Sequence, residues 1–110
     1  MAKVTKATFN RNLKKAEAGD KLAQYKVSSY YRYGSADGVS RDYTKAFEWA
    51  MKASNAGLKE AMTMAGDALL WGKGVKSDER AGLKLLQKAS ELGCGEASFT
   101  IQSYNNTKSA

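Results

Sequence analysis

The ten residues KASNAGLKEA at 52–61 decide the reading of this chain, because two further versions of them stand elsewhere in it. KKAEAGDKLA occupies 14–23 and KASELGCGEA occupies 88–97. Their glycines, Gly19, Gly57 and Gly93, lie 38 and 36 residues apart, and the alanines that follow, Ala23, Ala61 and Ala97, keep those spacings. A period in that range marks a repeat architecture, in which one unit buries its apolar face only by stacking on the next. Between the glycines a second motif recurs, YGSADGVSRD at 33–42 against WGKGVKSD at 71–78. The first copy is two residues longer in its turn, which accounts for the change of period.

Within each period two stretches carry helical periodicity. Ala23, Val27, Tyr30 and Tyr31 form one set, and Ala46, Phe47, Trp49, Ala50 and Ala53 form the next, at i, i+3, i+4 and i+7 spacings. Asp42 and Asp78 follow the Gly-Val turns, where an N-cap or first-turn acid belongs. Gly57 and Gly93 stand where a helix ends in the left-handed conformation. Proline is absent, so no segment carries the strongest helix breaker. The expectation is an all-α chain of six helices at about 5–17, 20–33, 42–56, 58–71, 78–92 and 95–105, paired as antiparallel hairpins. Small residues such as Ala23, Ser28, Ala46, Gly66, Gly82 and Ala89 let helix axes approach, while Phe47, Trp49, Leu83 and Leu85 fill the space beside them. Phe47 and Trp49 are expected in the core of the first repeat.

The repeated pattern resembles the Sel-one-like repeat family, helical-hairpin cousins of the tetratricopeptide repeat. In one copy the likeness is carried by Ala23, Tyr25, Val27, Tyr31, Gly34, Gly38, Val39, Asp42, Ala46, Trp49, Lys52, Ala53 and Gly57. The other copy supplies Ala61, Ala65, Gly66, Leu69, Gly72, Gly74, Val75, Asp78, Leu85, Lys88, Ala89 and Gly93. Three positions depart from the family pattern: Gly82 for the packing alanine, Leu85 for the tryptophan and Ser28 for the glycine. The resemblance implies a short right-handed α-solenoid with two full repeats, 20–57 and 58–93. A capping helix at 1–19 and a C-terminal half-repeat with tail at 94–110 complete it. Thr8, Arg11 and Lys15 at pattern positions of the first helix suit a cap with one wet face, and Phe9 and Leu13 give it an apolar edge for docking.

Composition narrows the function. Across 110 residues the chain has 43% hydrophobic and 26% charged residues, ordinary for a folded domain. It has no histidine and one cysteine, Cys94. The commonest general base and metal ligand are therefore missing, and no intramolecular disulfide is available. Asp78 and Glu79 at a helix start read as cap and dipole acids rather than an acid–base pair. Gly72–Val75 lacks the Walker spacing and reads as a turn. No apolar run reaches membrane-spanning length, and the N-terminus lacks the apolar region of a secretory signal, so a cytoplasmic protein is expected. Catalysis, a metal and a cofactor are not expected.

Eighteen basic residues against eleven acidic ones leave a formal +7, which favours acidic partners. Lys3, Lys6, Arg11, Lys14 and Lys15 precede the first acid, and read as the solvated face of a capping helix before they read as a nucleic-acid or headgroup patch. By analogy with the tetratricopeptide groove, the concave positions lie one before and two, six, nine and ten after the pattern alanine. That count reaches Leu22, Tyr25, Ser29, Arg32 and Tyr33, then Glu60, Thr63, Asp67, Leu70 and Trp71, then Glu96, Phe99 and Ser103. Tyr25, Ser29, Arg32, Tyr33, Thr63, Asp67, Leu70, Trp71 and Phe99 are the candidate partner-binding residues, and for Tyr25, Trp71 and Phe99 packing within or between repeats is an equal alternative. The leading expectation is an adaptor or small regulator that binds an acidic protein or peptide through the concave face. A basic nucleic-acid-associated protein and an architectural protein stacking end to end as a homo-oligomer are the alternatives.

Overall fold

A computed structural model describes residues 3–109. The helices run α1 Lys6–Glu17, α2 Lys21–Tyr33, α3 Tyr43–Asn55, α4 Lys59–Trp71, α5 Glu79–Glu91 and α6 Gly95–Ser109. Each packs on its neighbours in sequence, and α4 also touches α6. The molecule measures 45 × 26 × 24 Å, long in one direction as a stack of hairpins must be. The only extended pairing among the described residues is a single bridge, Val4 to Ala36, where Val4 N–H donates to the Ser35 carbonyl and Asp37 N–H to the Val4 carbonyl, both at 2.8 Å.

The helix starts follow from local side-chain chemistry. Thr5, Asp20, Asp42 and Asp78 each accept a hydrogen bond from the N–H three residues on, at Thr8, Ala23, Lys45 and Ala81. Each cap satisfies an otherwise orphaned donor and contributes about 1 kcal/mol. Thr5, Asp42 and Asp78 therefore start equivalent helices, and α1 stands to α2 as α3 stands to α4. Gly74, at φ +78, packs so tightly on the Tyr43–Thr44 backbone that any β-carbon there would overlap the Tyr43 carbonyl. At the matching place one repeat earlier, Gly38 meets the side chain of Lys6.

The core is divided in two. Near the N-terminus, Phe9, Ala16, Ala23, Val27 and Ala36 are buried together, with Phe9 edge-on to Tyr31 at 5.7 Å and tilted to Tyr30 at 5.8 Å. Towards the C-terminus, Met62, Leu70, Leu86, Ala89, Ala97 and Tyr104 form the second cluster. Phe47 and Trp49 are half-buried rather than central. Trp49 packs on the rim of the first cluster, with Lys52 Nζ 4.5 Å from its ring centre. The last helix also runs four residues beyond its expected end, to Ser109.

Two of the departures from the family pattern belong to helix crossings. Between α4 and α5, Gly66 faces Gly82, and a β-carbon on Gly82 would lie 2.8 Å from the Gly66 carbonyl oxygen and 2.9 Å from Leu70 N. Between α2 and α3 the same places hold Ser28 and Ala46. There the buried Ser28 hydroxyl donates to the Ala46 carbonyl at 2.6 Å and also lies 2.9 Å from Met64 Sδ. One crossing is closed by two missing side chains, the other is bridged by a hydroxyl.

Candidate binding groove

Helices α2, α4 and α6, the first of each hairpin, bring Tyr25, Arg32, Tyr33, Glu60, Thr63, Met64, Asp67, Glu96 and Thr100 around one cavity of about 190 Å³. Five of the nine expected partner residues line it: Tyr25, Arg32, Tyr33, Thr63 and Asp67. Glu60 and Glu96 stand at counted concave positions. Met64 and Thr100 lie three after the pattern alanine, on the same helix face as the position six after, and helical spacing alone could have found them.

The remaining expectations divide by what each side chain touches. Leu70 is 3% exposed and belongs to the second core cluster, so no partner can reach it. Thr63 is 5% exposed and closes the cavity floor, its hydroxyl donating to the Lys59 carbonyl at 3.1 Å and lying 3.2 Å from Cys94 Sγ. Ser29 does not line the cavity, but its hydroxyl acts on Tyr25. Phe99 is 70% exposed and lies outside the cavity lining. Trp71 leans edge-on against Tyr104 at 5.5 Å, whereas its counterpart Tyr33 opens onto the cavity beside Arg32. The position nine after the alanine has two outcomes, a core residue at Leu70 and a groove-wall residue at Arg32. In α4 it holds Leu70, packed towards α6; in α2 it holds Arg32, whose guanidinium donates to Asp67 of α4 at 2.6 Å.

That ion pair sets the electrostatics of the groove. Burial works against the Arg32 charge, but the bond to Asp67 and its negative charge outweigh it and raise the Arg32 pKa. Burial and then the charge of Glu96 hold the Tyr25 hydroxyl above its ordinary pKa, with Tyr33 and Glu60 adding to the shift and Ser29 opposing it. Glu60 and Glu96 form no ion pair among the described residues. Three carboxylates thus face one guanidinium, which is already engaged. The surplus positive charge of the chain lies elsewhere, and the expectation that an acidic partner enters the concave face is at odds with the sign of the groove. Among the described residues no group of histidine, cysteine and carboxylate side chains could hold a metal, and no helix is long and apolar enough to cross a membrane.

An array of antiparallel helical hairpins with a polar concave groove defines an α-solenoid of the tetratricopeptide type. The chain belongs to the Sel1 repeat family, whose pattern matches residues 21–58 and 59–94 and whose repeats serve as protein–protein interaction modules. A Sel1 repeat protein from Oxalobacter formigenes is 32% identical in its crystal structure, with a TM-score of 0.74 over 80% of this chain and 65% of that one. Helicobacter pylori cysteine rich protein B is 25% identical, with a TM-score of 0.75 over 84% of this chain and 68% of that one. The chitin synthase regulator SKT5 of Saccharomyces cerevisiae is 32% identical over 72 residues, 66% of this chain and 10% of the regulator. The chain spans about a tenth of that relative.

Proposed function

We propose that this chain is a protein-binding module that holds a segment of its partner in the α2–α4–α6 groove, with a lysine or arginine of that segment lodged between Glu60 and Glu96. One observation carries the reading: in a chain of net +7, the cavity where three helices converge has a negative lining. Its one cation, Arg32, is spent on Asp67, so Glu60 and Glu96 have charge to offer an incoming cation. Tyr25 and Tyr33 add aromatic faces with polar ends, the side chains that anchor interfaces best. Regulation by occupying a surface is a role that suits an interaction module, and the yeast relative is named a regulator.

Selection of a random-sequence peptide library on the folded protein tests this. Lysine and arginine should be enriched among the selected peptides, and their amide shift changes should map to α2, α4 and α6. Glu60→Gln with Glu96→Gln should weaken the selected peptides by at least tenfold. Selected peptides without cations would overturn the charge assignment, and shift changes away from these helices would overturn the groove.

A further inference from the structure

A second cleft, of about 290 Å³, opens at the N-terminal end of the stack, where the start of α1, the Gly38 turn and the start of α3 meet. Three cations, Lys6, Arg41 and Lys45, stand around it over a floor formed by Phe9 and Tyr31. None of the three is in an ion pair among the described residues. Arg41 lies over the Tyr43 ring at 5.9 Å and Lys45 over the Tyr31 ring at 5.4 Å, contacts that hold a cation in place without neutralising it. The one acid at the cleft, Asp42, turns its carboxylate to the Lys45 N–H at 3.1 Å as the cap of α3. The cleft therefore keeps a net charge of +2.

The repeat supplies its own control. With Thr5, Asp42 and Asp78 as equivalent caps, Lys6 corresponds to Tyr43, Arg41 to Ser77 and Lys45 to Ala81. The second turn thus folds with no cation at any of the three places. The fold does not require these charges, and all three converge on one concavity at the first turn.

We infer that this cleft is a second binding site, for the carboxylate side chains of an acidic segment of a partner protein. It is independent of the groove reading, which concerns other residues and the opposite charge. Aspartate or glutamate suits the cleft because two ammonium groups and a guanidinium supply hydrogen-bond donors on several sides of an oxyanion, while the half-buried Tyr31 ring offers an apolar surface to its carbon chain.

A blocked hexaglutamate peptide is the probe, titrated into isotope-labelled protein and followed by amide shifts and calorimetry. The expected result is saturable shifts confined to the start of α1 and residues 38–45. Lys6→Gln, Arg41→Gln and Lys45→Gln together should reduce affinity at least tenfold. Lys14→Gln, Lys52→Gln and Lys88→Gln remove the same charge from other places on α1, α3 and α5, and should cost less than threefold. Equal losses from both triple variants, or shifts spread over every lysine-bearing helix, would overturn the site. So would inorganic phosphate giving the localised shifts while the peptide gives none, or an oligothymidylate of equal charge binding more tightly than the peptide. The shift map on the unaltered protein decides the question even where a triple variant fails to fold.

Discussion

Gly82→Ala restores the alanine that the family pattern places at this position, and helix propensity alone favours it by about 1 kcal/mol. The structure opposes it. The new methyl carbon would lie 2.8 Å from the Gly66 carbonyl oxygen, 2.9 Å from Leu70 N and 3.3 Å from Leu69 Cβ. Two of these are backbone atoms of α4, which no rotamer change can move. The crossing must open by several tenths of an ångström, loosening the buried contacts of Leu86 beside it. Overpacking costs about 1–3 kcal/mol, and two backbone contacts below 3.0 Å put this case in the upper part, about 2–3 kcal/mol, so after the propensity gain a net loss of about 1–2 kcal/mol is expected. For a domain of this size that lowers the melting temperature by several degrees per kcal/mol. Urea denaturation with a shifted midpoint and an unchanged slope is the assay. Ser28→Ala provides the comparison: at the bridged crossing it removes one hydrogen bond without crowding and should cost about 1 kcal/mol. A Gly82→Ala protein as stable as the parent, or more so, would refute the close-crossing argument.

Trp49→Ala should cost about 2 kcal/mol rather than the 3–5 typical of a central aromatic, because Trp49 is only half-buried; a loss above 4 kcal/mol in urea would place it in the core. Arg32→Gln leaves Asp67 partly buried without its partner, and an intermediate cost of about 2 kcal/mol is expected in the same assay, between the values for exposed and buried pairs. Among the described residues the Tyr104 hydroxyl has no hydrogen-bond partner of good geometry, yet the Glu79 carboxylate it faces pushes its pKa up to about 12. Titration of tyrosine absorbance should show one group ionising last, and Glu79→Gln should bring it back towards 10. Because the folded state keeps this proton above pH 10, the contribution to stability is present below pH 10 and is lost as pH rises towards 12. Tyr104 and then Lys108 hold the Glu79 carboxyl below its ordinary value, so its own contribution is present above the usual carboxylate range and is lost as pH falls below that range through the lowered folded-state value. Loosening of the end of α6, read by helical ellipticity, should therefore appear at both extremes and weaken in Glu79→Gln.

What the sequence made legible was local chemistry. Asp42 and Asp78 announce helix starts because a carboxylate three residues before an open N–H is a short-range event, and Gly57 and Gly93 end helices at φ +94 for reasons confined to their own backbone. The groove was legible only in part, because the direction of a side chain there depends on the crossing of the next hairpin. Arg32 and Leu70 occupy the same repeat position, yet Arg32 pairs with an acid on the groove wall and Leu70 is buried in a core. A count along one helix cannot tell which of these a position will be. Ser28 and Gly82 look like separate departures in the sequence, and only the packed hairpins show that they sit at equivalent crossings solved in two ways.

Net charge does not fix the sign of either cleft, for a related reason. A formal +7 is a sum over the surface, whereas recognition depends on the few charges that a cavity gathers and leaves uncompensated. Here the two clefts have opposite signs: the groove retains Glu60 and Glu96 after Arg32 is spent on Asp67, while the N-terminal cleft retains Lys6, Arg41 and Lys45 around a capping aspartate. A partner carrying a basic and an acidic segment would be matched at both, and one of uniform charge at only one of them. Raising salt should therefore weaken a partner of either sign. Neutralising Glu60 and Glu96 should affect a basic segment alone, and neutralising Lys6, Arg41 and Lys45 an acidic one alone, which makes the two charge sets separable by substitution where ionic strength cannot separate them.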